Sequence, residues 1–127
     1  MSKKIDKRPP VAIGHVRLPV NDVKVAHEYL EKLGLRSIVL SDTFAVMELR
    51  GGTHLIVSSA EVPIEPGSST PIDLMVDDLD AAKKDHGKKG FKASKVSRGS
   101  IHDTFLLTLP DGYELKIFSS HAGNRVV

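Results

Sequence analysis

The chain has 127 residues, 40% of them apolar and 27% charged, with no cysteine and no tryptophan. That composition excludes extended disorder, a disulfide scaffold, thiolate metal sites and cysteine nucleophiles. The net charge of +2 belongs to the first ten residues, where Lys3, Lys4, Lys7 and Arg8 face only Asp6, and the 14 basic and 15 acidic residues that remain give a balanced body.

Residues 1–10 read as a basic tail ended by Pro9-Pro10, without the apolar stretch of a secretory signal. A first module spans 11–60. It opens on an alternating strand with Val16, Leu18 and Val20 on one face and His15, Arg17 and Pro19 on the other. A helix follows, capped by Asn21 or Asp22, with Val23, Ala26, Leu30 and Leu33 on one stripe and Gly34 as its stop. Strands are predicted at about 36–41, 44–50 and 53–58, separated by turns at Ser41-Asp42 and Gly51-Gly52. Residues 61–69, with two prolines and a glycine, read as a linker.

The second module, 70–119, repeats the pattern. Ile72, Leu74 and Val76 oppose Pro71, Asp73 and Met75. Asp77 or Asp78 caps a poorer helix whose stripe is Leu79, Ala82 and His86, with Gly90 as its stop. Strands are predicted at about 92–97, 101–109 and 112–119, with turns at Arg98-Gly99-Ser100 and Pro110-Asp111-Gly112. Residues 120–127 form a tail. His27, His86 and His121 are expected near the surface, and Tyr113, Phe44, Phe105 and Phe118 in the core or in the wall of a cup.

The two modules align directly. Val20-Asn21-Asp22-Val23 matches Val76-Asp77-Asp78-Leu79 at an offset of 56, and Gly51-Gly52-Thr53-His54-Leu55 matches Asp111-Gly112-Tyr113-Glu114-Leu115 at an offset of 60. The expected fold class is α+β, with two βαβββ modules in tandem. Each helix covers one sheet face, and the second faces curve toward one another around a cup. A concave site between modules is the natural place for a small-molecule ligand. A nucleic-acid groove needs a basic face interleaved with aromatic rings, and a membrane span needs about 18 consecutive apolar residues. Neither pattern is present, so no nucleic-acid or membrane partner is expected. The lack of cysteine fits a reducing, cytoplasmic location.

The His15–Val20 strand, the capped helix ending in Leu33-Gly34-Leu35, the Val76-Asp77-Asp78-Leu79 helix start and the closing Pro110-Asp111-Gly112 turn together resemble the vicinal oxygen chelate superfamily, which includes glyoxalase I, bleomycin-resistance proteins and extradiol dioxygenases. The resemblance covers about residues 11–119. It implies the glyoxalase/bleomycin-resistance-like fold, a homodimer and, in the enzymes, one divalent metal (Mn, Ni, Zn or Fe) held by His and carboxylate groups on the first and last strand of each module. Carried over position by position, His15 matches, but Ile56, Pro71 and Lys116 stand at the other three places. Strand alternation offers substitutes, since His54 shares a face with Ile56, Asp73 with Pro71 and Glu114 with Lys116. His15, Glu114 and His54 are therefore the candidate metal ligands. Glu114 and His102 are the candidate catalytic groups, and Arg17, Lys116, Asp73 and His54 the candidate ligand-binding groups. Arg17 and Lys116 share the inward faces with Asp73 and Glu114, and the four charges are expected to pair with one another. The favoured reading is a protein that binds a small organic molecule in the cup without a standard metal site. The alternative is a metal-dependent lyase, isomerase, transferase or dioxygenase acting on vicinal oxygens.

Overall fold

A computed structural model describes residues 5–120. The first module consists of β1 (His15–Val20), α1 (Val23–Leu33), β2 (Arg36–Leu40), β3 (Phe44–Glu48) and β4 (His54–Ser59). The second consists of β5 (Leu74–Val76), α2 (Leu79–Lys88), β6 (Lys92–Ala93), β7 (Thr104–Thr108) and β8 (Glu114–Ser119). The two sheets have the same order, β1-β4-β3-β2 and β5-β8-β7-β6, and in each the first strand runs parallel to the last. A parallel pair needs a crossover, which is why each module's helix follows its first strand directly.

Local chemistry sets the helix limits. The Asp22 carboxylate accepts from the Val25 amide and the Asp78 carboxylate from the Ala81 amide, so the second member of each Asn-Asp or Asp-Asp pair is the cap. Asn21 does other work. Its amide donates to Asp111 Oδ2 at 2.9 Å, and its side-chain oxygen accepts from the Ile64 amide at 2.7 Å. Gly112, in the Pro-Asp-Gly turn, has φ 79°, and a Cβ there would lie 2.8 Å from Pro66. Only glycine suits both the conformation and the space.

Each sheet is covered on one face. Leu18, Val20, Ala45, Met47, Leu55 and Val57 pack under Val23, Ala26 and Leu30 of α1. Phe105, Leu107, Leu115 and Ile117 form the corresponding layer in the second module, with Leu79 of α2. Contacts from helices and turns join the modules. The Tyr29 hydroxyl donates to the Thr108 carbonyl at 2.9 Å, and its ring lies 4.5 Å from that of Phe91. Arg50 pairs with Asp77 at 2.9 Å. The opposite faces stay open, with Arg17, Phe44, Met75 and Lys116 exposed.

Several expectations need correction. The second sheet is smaller than predicted: β6 has two residues, β7 begins at Thr104, and only a bridge from Ser97 to Thr104 extends the pairing. In the loop that replaces the missing strand, Arg98 is clamped between Asp80 and Asp103 at 2.9 and 2.8 Å. The expected strand through Pro71 begins only at Leu74. Ser69 bridges Glu114 and Leu74 pairs with Ile117, so five steps along one strand match three along the other. Two extra residues bulge out where proline removes a ladder donor. His27 and His86 are buried, at 8% and 6% exposure, rather than superficial. His27 Nε2 is 2.7 Å from Ser37 Oγ, and His86 takes the core place that Leu30 fills in the first module. Phe44 is 41% exposed and lies on the open face. His121 falls outside the described residues.

Two predictions follow from this packing. Tyr29→Phe removes a hydrogen bond between modules and is expected to cost about 1 kcal/mol in urea unfolding. Burial lowers the His86 pKa below its ordinary 6.5, with a smaller lowering from Lys89 opposed by Asp85. The unfolded chain therefore binds more protons than the native one as pH falls through 6.5. The stabilisation by the neutral ring is full above that pH and is lost below it. The urea midpoint is expected to fall between pH 7.5 and 5, and to fall less in His86→Phe.

Candidate functional site

The open face of the first sheet is ordered by its register. His15 pairs with His54, His54 with Glu48, and Glu48 with Arg36, so one row of polar side chains crosses all four strands. The next row is Arg17, Ile56, Val46 and Val39, and a third holds Pro19, Ser58 and Phe44. Polar groups thus line one end of the face and apolar groups the other.

Within the polar row the contacts are specific. The His15 and His54 rings stand edge to face with centroids 5.8 Å apart. His54 Nε2 lies 3.2 Å from one Glu48 oxygen, and Arg36 lies 2.9 Å from the other. Glu48 therefore orients His54 through Nε2 and leaves Nδ1 as its second polar atom. Sequence reasoning missed Glu48 and Arg36. The signal was present in the Gly51-Gly52 turn, which folds β3 back on β4 and sets Glu48 opposite His54.

On the second sheet Glu114, Lys116 and Phe118 share the open face with Thr108, Leu106 and Thr104 of β7. Asp73 joins Glu114 and Lys116 around a groove of about 180 Å³, whose wall includes Thr70, Leu106 and Phe118. Lys116 Nζ lies 5.7 Å from the centroid of the Phe118 ring, within cation–π range. His102 stands beside the same face, its ring edge-on to Phe118 at 5.0 Å and its Nδ1 2.9 Å from the Ser119 carbonyl. Asp103 points away from it to Arg98, so the two neighbours form no dyad.

The expected pairing of the four inward charges is not found. Among the described residues, no ion pair involves Arg17, Asp73, Glu114 or Lys116. Exposure makes this tolerable, since Arg17, Asp73 and Lys116 are exposed and Glu114 is half-buried.

Within a single chain the donors do not assemble a chelated metal site. Among the described residues, no group of three or more His, Asp or Glu side chains is arranged to hold an ion. His15 and His54 lie together on the first sheet, but Glu114 stands on the second, beside a lysine ammonium. The two-residue bulge sets Ser69, rather than Pro71, opposite Glu114, where β1 sets His15 opposite His54. A serine hydroxyl is a poor replacement for an imidazole at that place.

These features define a fold of the glyoxalase/bleomycin-resistance type, two βαβββ modules each with an open sheet face. The chain is similar to a glyoxalase/bleomycin resistance protein/dioxygenase from Alicyclobacillus acidocaldarius, at 22% identity over 88% of this chain and 93% of that one, with a TM-score of 0.69. It is similar to a lactoylglutathione lyase from Agrobacterium tumefaciens, at 17% identity over 92% and 99%, with a TM-score of 0.70. It is also similar to a bleomycin resistance determinant encoded on the transposon Tn5, at 18% identity over 87% and 98%, with a TM-score of 0.68. No protein-family model matches the sequence, and no curated protein does. No helix among the described residues is long and apolar enough to cross a membrane.

The Glu48 contacts yield a local prediction. Glu48→Ala is expected to cost about 1 kcal/mol, since Glu48 is half-buried while its partner Arg36 is exposed. It should move the His54 ring resonances in NMR spectra while leaving those of the buried methyl groups in place.

Proposed function

We propose that the protein binds a small organic molecule on its open sheet faces, without a standard metal, as a homodimer in the cytoplasm. One observation carries this reading: Arg17, Asp73, Glu114 and Lys116 stand on those faces with no ion-pair partner among the described residues, next to apolar walls from Ile56, Val46, Leu106 and Phe118. Charges fixed beside apolar surface orient a ligand by its polar groups while its body excludes water. His54, held by Glu48, adds a hydrogen-bonding group to the same set.

The need for a second copy comes from geometry. Each open face is one wall, and the groove on the second sheet is lined by that sheet and the segment preceding β5 alone. A two-fold dimer would set the first-sheet face of one copy against the second-sheet face of the other, which closes two equivalent cups. The structures named above include both a resistance determinant and a lyase, so the fold accommodates either role and the unpaired charges carry the choice of binding. In such a cup Glu114 and His102 are the groups able to exchange protons with the ligand, and His15, His54 and Glu114 are the groups able to approach a metal.

Lys116 decides between binder and metal enzyme, because an ammonium at contact distance repels a dication. The test is calorimetric titration of chelator-stripped protein with manganese, nickel, zinc and, anaerobically, ferrous iron. No stoichiometric binding at micromolar affinity is expected, and Lys116→Glu is expected to raise zinc or nickel affinity at least about tenfold. Binding of one ion per chain by the natural protein, lost in His15→Ala, would overturn the metal-free reading in favour of a vicinal-oxygen enzyme. Thermal-shift screening of antibiotics and aromatic metabolites should give hits that survive chelator and weaken in Arg17→Ala.

A further inference from the structure

The open face of the first sheet gathers its hydrogen-bond donors at one corner. Arg17 lies two residues beyond His15 on β1, and strand alternation puts both on that face. Their partners on β4 are Ile56 and His54. The His15 and His54 rings are 5.8 Å apart between centroids, so two imidazoles and a guanidinium border one patch. Solvent reaches all three. His15 and Arg17 are exposed, and the His54 side chain is 34% exposed.

The patch is short of acceptors. A guanidinium carries donors alone, and even a neutral imidazole brings one N–H. Among the described residues, the side chains of Arg17 and His15 make no hydrogen bond or ion pair. Glu48 is the one acidic residue in the four strands of this sheet. Both of its oxygens are engaged, one by Arg36 at 2.9 Å and the other by His54 Nε2 at 3.2 Å. No carboxylate of this sheet is therefore left to meet Arg17. Ile56, Val46 and Val39 continue the Arg17 row across the sheet as an apolar strip. The second sheet has the opposite balance, with Asp73 and Glu114 set against Lys116 around its groove.

We propose that the first-sheet face selects an organic anion, whose carboxylate head sits among Arg17, His15 and His54 while its apolar body lies along Ile56, Val46 and Val39. This inference rests on the binding role proposed above and adds the charge of the ligand and the end of the face that reads it. A guanidinium meets a carboxylate with two parallel, charge-assisted hydrogen bonds, stronger than those to an uncharged group. A cationic head would meet the Arg17 charge at contact distance and be repelled. Glu48 contributes by holding His54 in place, and its own charge is balanced by Arg36.

The patch sets the sign of the head group and leaves the shape of the body open, so the probes differ in their heads alone. They are 2-naphthoate, 2-naphthamide and 2-naphthylmethylammonium, titrated into metal-stripped protein in a buffer free of phosphate and chelator. NMR of the histidine rings and of the isoleucine and valine methyl groups is the readout. Saturable binding of 2-naphthoate is expected, at least about tenfold tighter than the amide, with the ammonium compound weakest. Shifts should centre on His15, His54, Ile56 and Val46. Arg17→Gln, at an exposed position, should cut the advantage of the carboxylate over the amide to about twofold or less, and Arg17→Lys should keep part of it. Equal or tighter binding of the amide or the ammonium compound on this face would overturn the inference and leave the binding role standing. So would a carboxylate preference that survives Arg17→Gln, or shifts at Leu106 and Phe118 instead. If none of the three probes moves the resonances of either open face, the inference and the binding role fall together.

Discussion

One helix per sheet is the constraint from which the rest of the structure follows. A four-stranded sheet has two faces, and each module supplies a single helix to cover one of them. The apolar layer beneath α1 or α2 accounts for most of the burial. The modules then join through helix and turn contacts, with Tyr29, Asn21 and Arg50 reaching across. The uncovered faces are free to carry charge, because nothing packs on them to demand apolar side chains. Function, on this architecture, is a matter of what the strands present on the side that stability leaves unused.

That division made part of the molecule legible in the sequence. Period-two alternation separates Val16, Leu18 and Val20 from His15, Arg17 and Pro19, and the structure keeps both sets intact. The capping aspartates and the 56-residue offset fixed the position of each helix. Other features depend on pairing between distant strands and leave no local mark. The bulge before β5 changes register by two residues, so an offset read along the chain assigns Pro71 where the backbone pairs Ser69. His86 was misjudged for a related reason. Composition says that an imidazole favours partial exposure, but its stripe position on α2 places it against Phe105, and tertiary packing outweighs the side chain's own preference.

The charged residues of the site show the same dependence on context. Four inward charges are expected to neutralise one another if they share a dry cavity, since an unpaired buried charge is costly. Here Arg17, Asp73 and Lys116 are exposed and Glu114 is half-buried, with Arg17 on the other sheet, so that cost is not incurred and no ion pair joins them among the described residues. Glu48 behaves differently because it sits mid-sheet with Arg36 and His54 on either side, 2.9 and 3.2 Å away. Cross-strand neighbours are held at contact distance by the ladder itself, so this pairing requires little further ordering. The sheet thereby fixes His54 and leaves Arg17, one row away, at liberty to meet a ligand.

Strand β8 brings these arguments together. Leu115 and Ile117 point to the helix side, and Glu114, Lys116 and Phe118 to the open side. Consecutive residues therefore serve two compartments of opposite character, one apolar with a single buried imidazole and one charged and open to water. Asp73 stands at the edge of both, in the bulge where the backbone leaves the regular ladder. A bulge re-aims side chains without breaking the sheet. Its placement before the edge strand β5 lets the second module depart from the first at the site while keeping the first module's packing. The two modules share one plan for the core, and their chemical differences are confined to the positions that the core does not constrain.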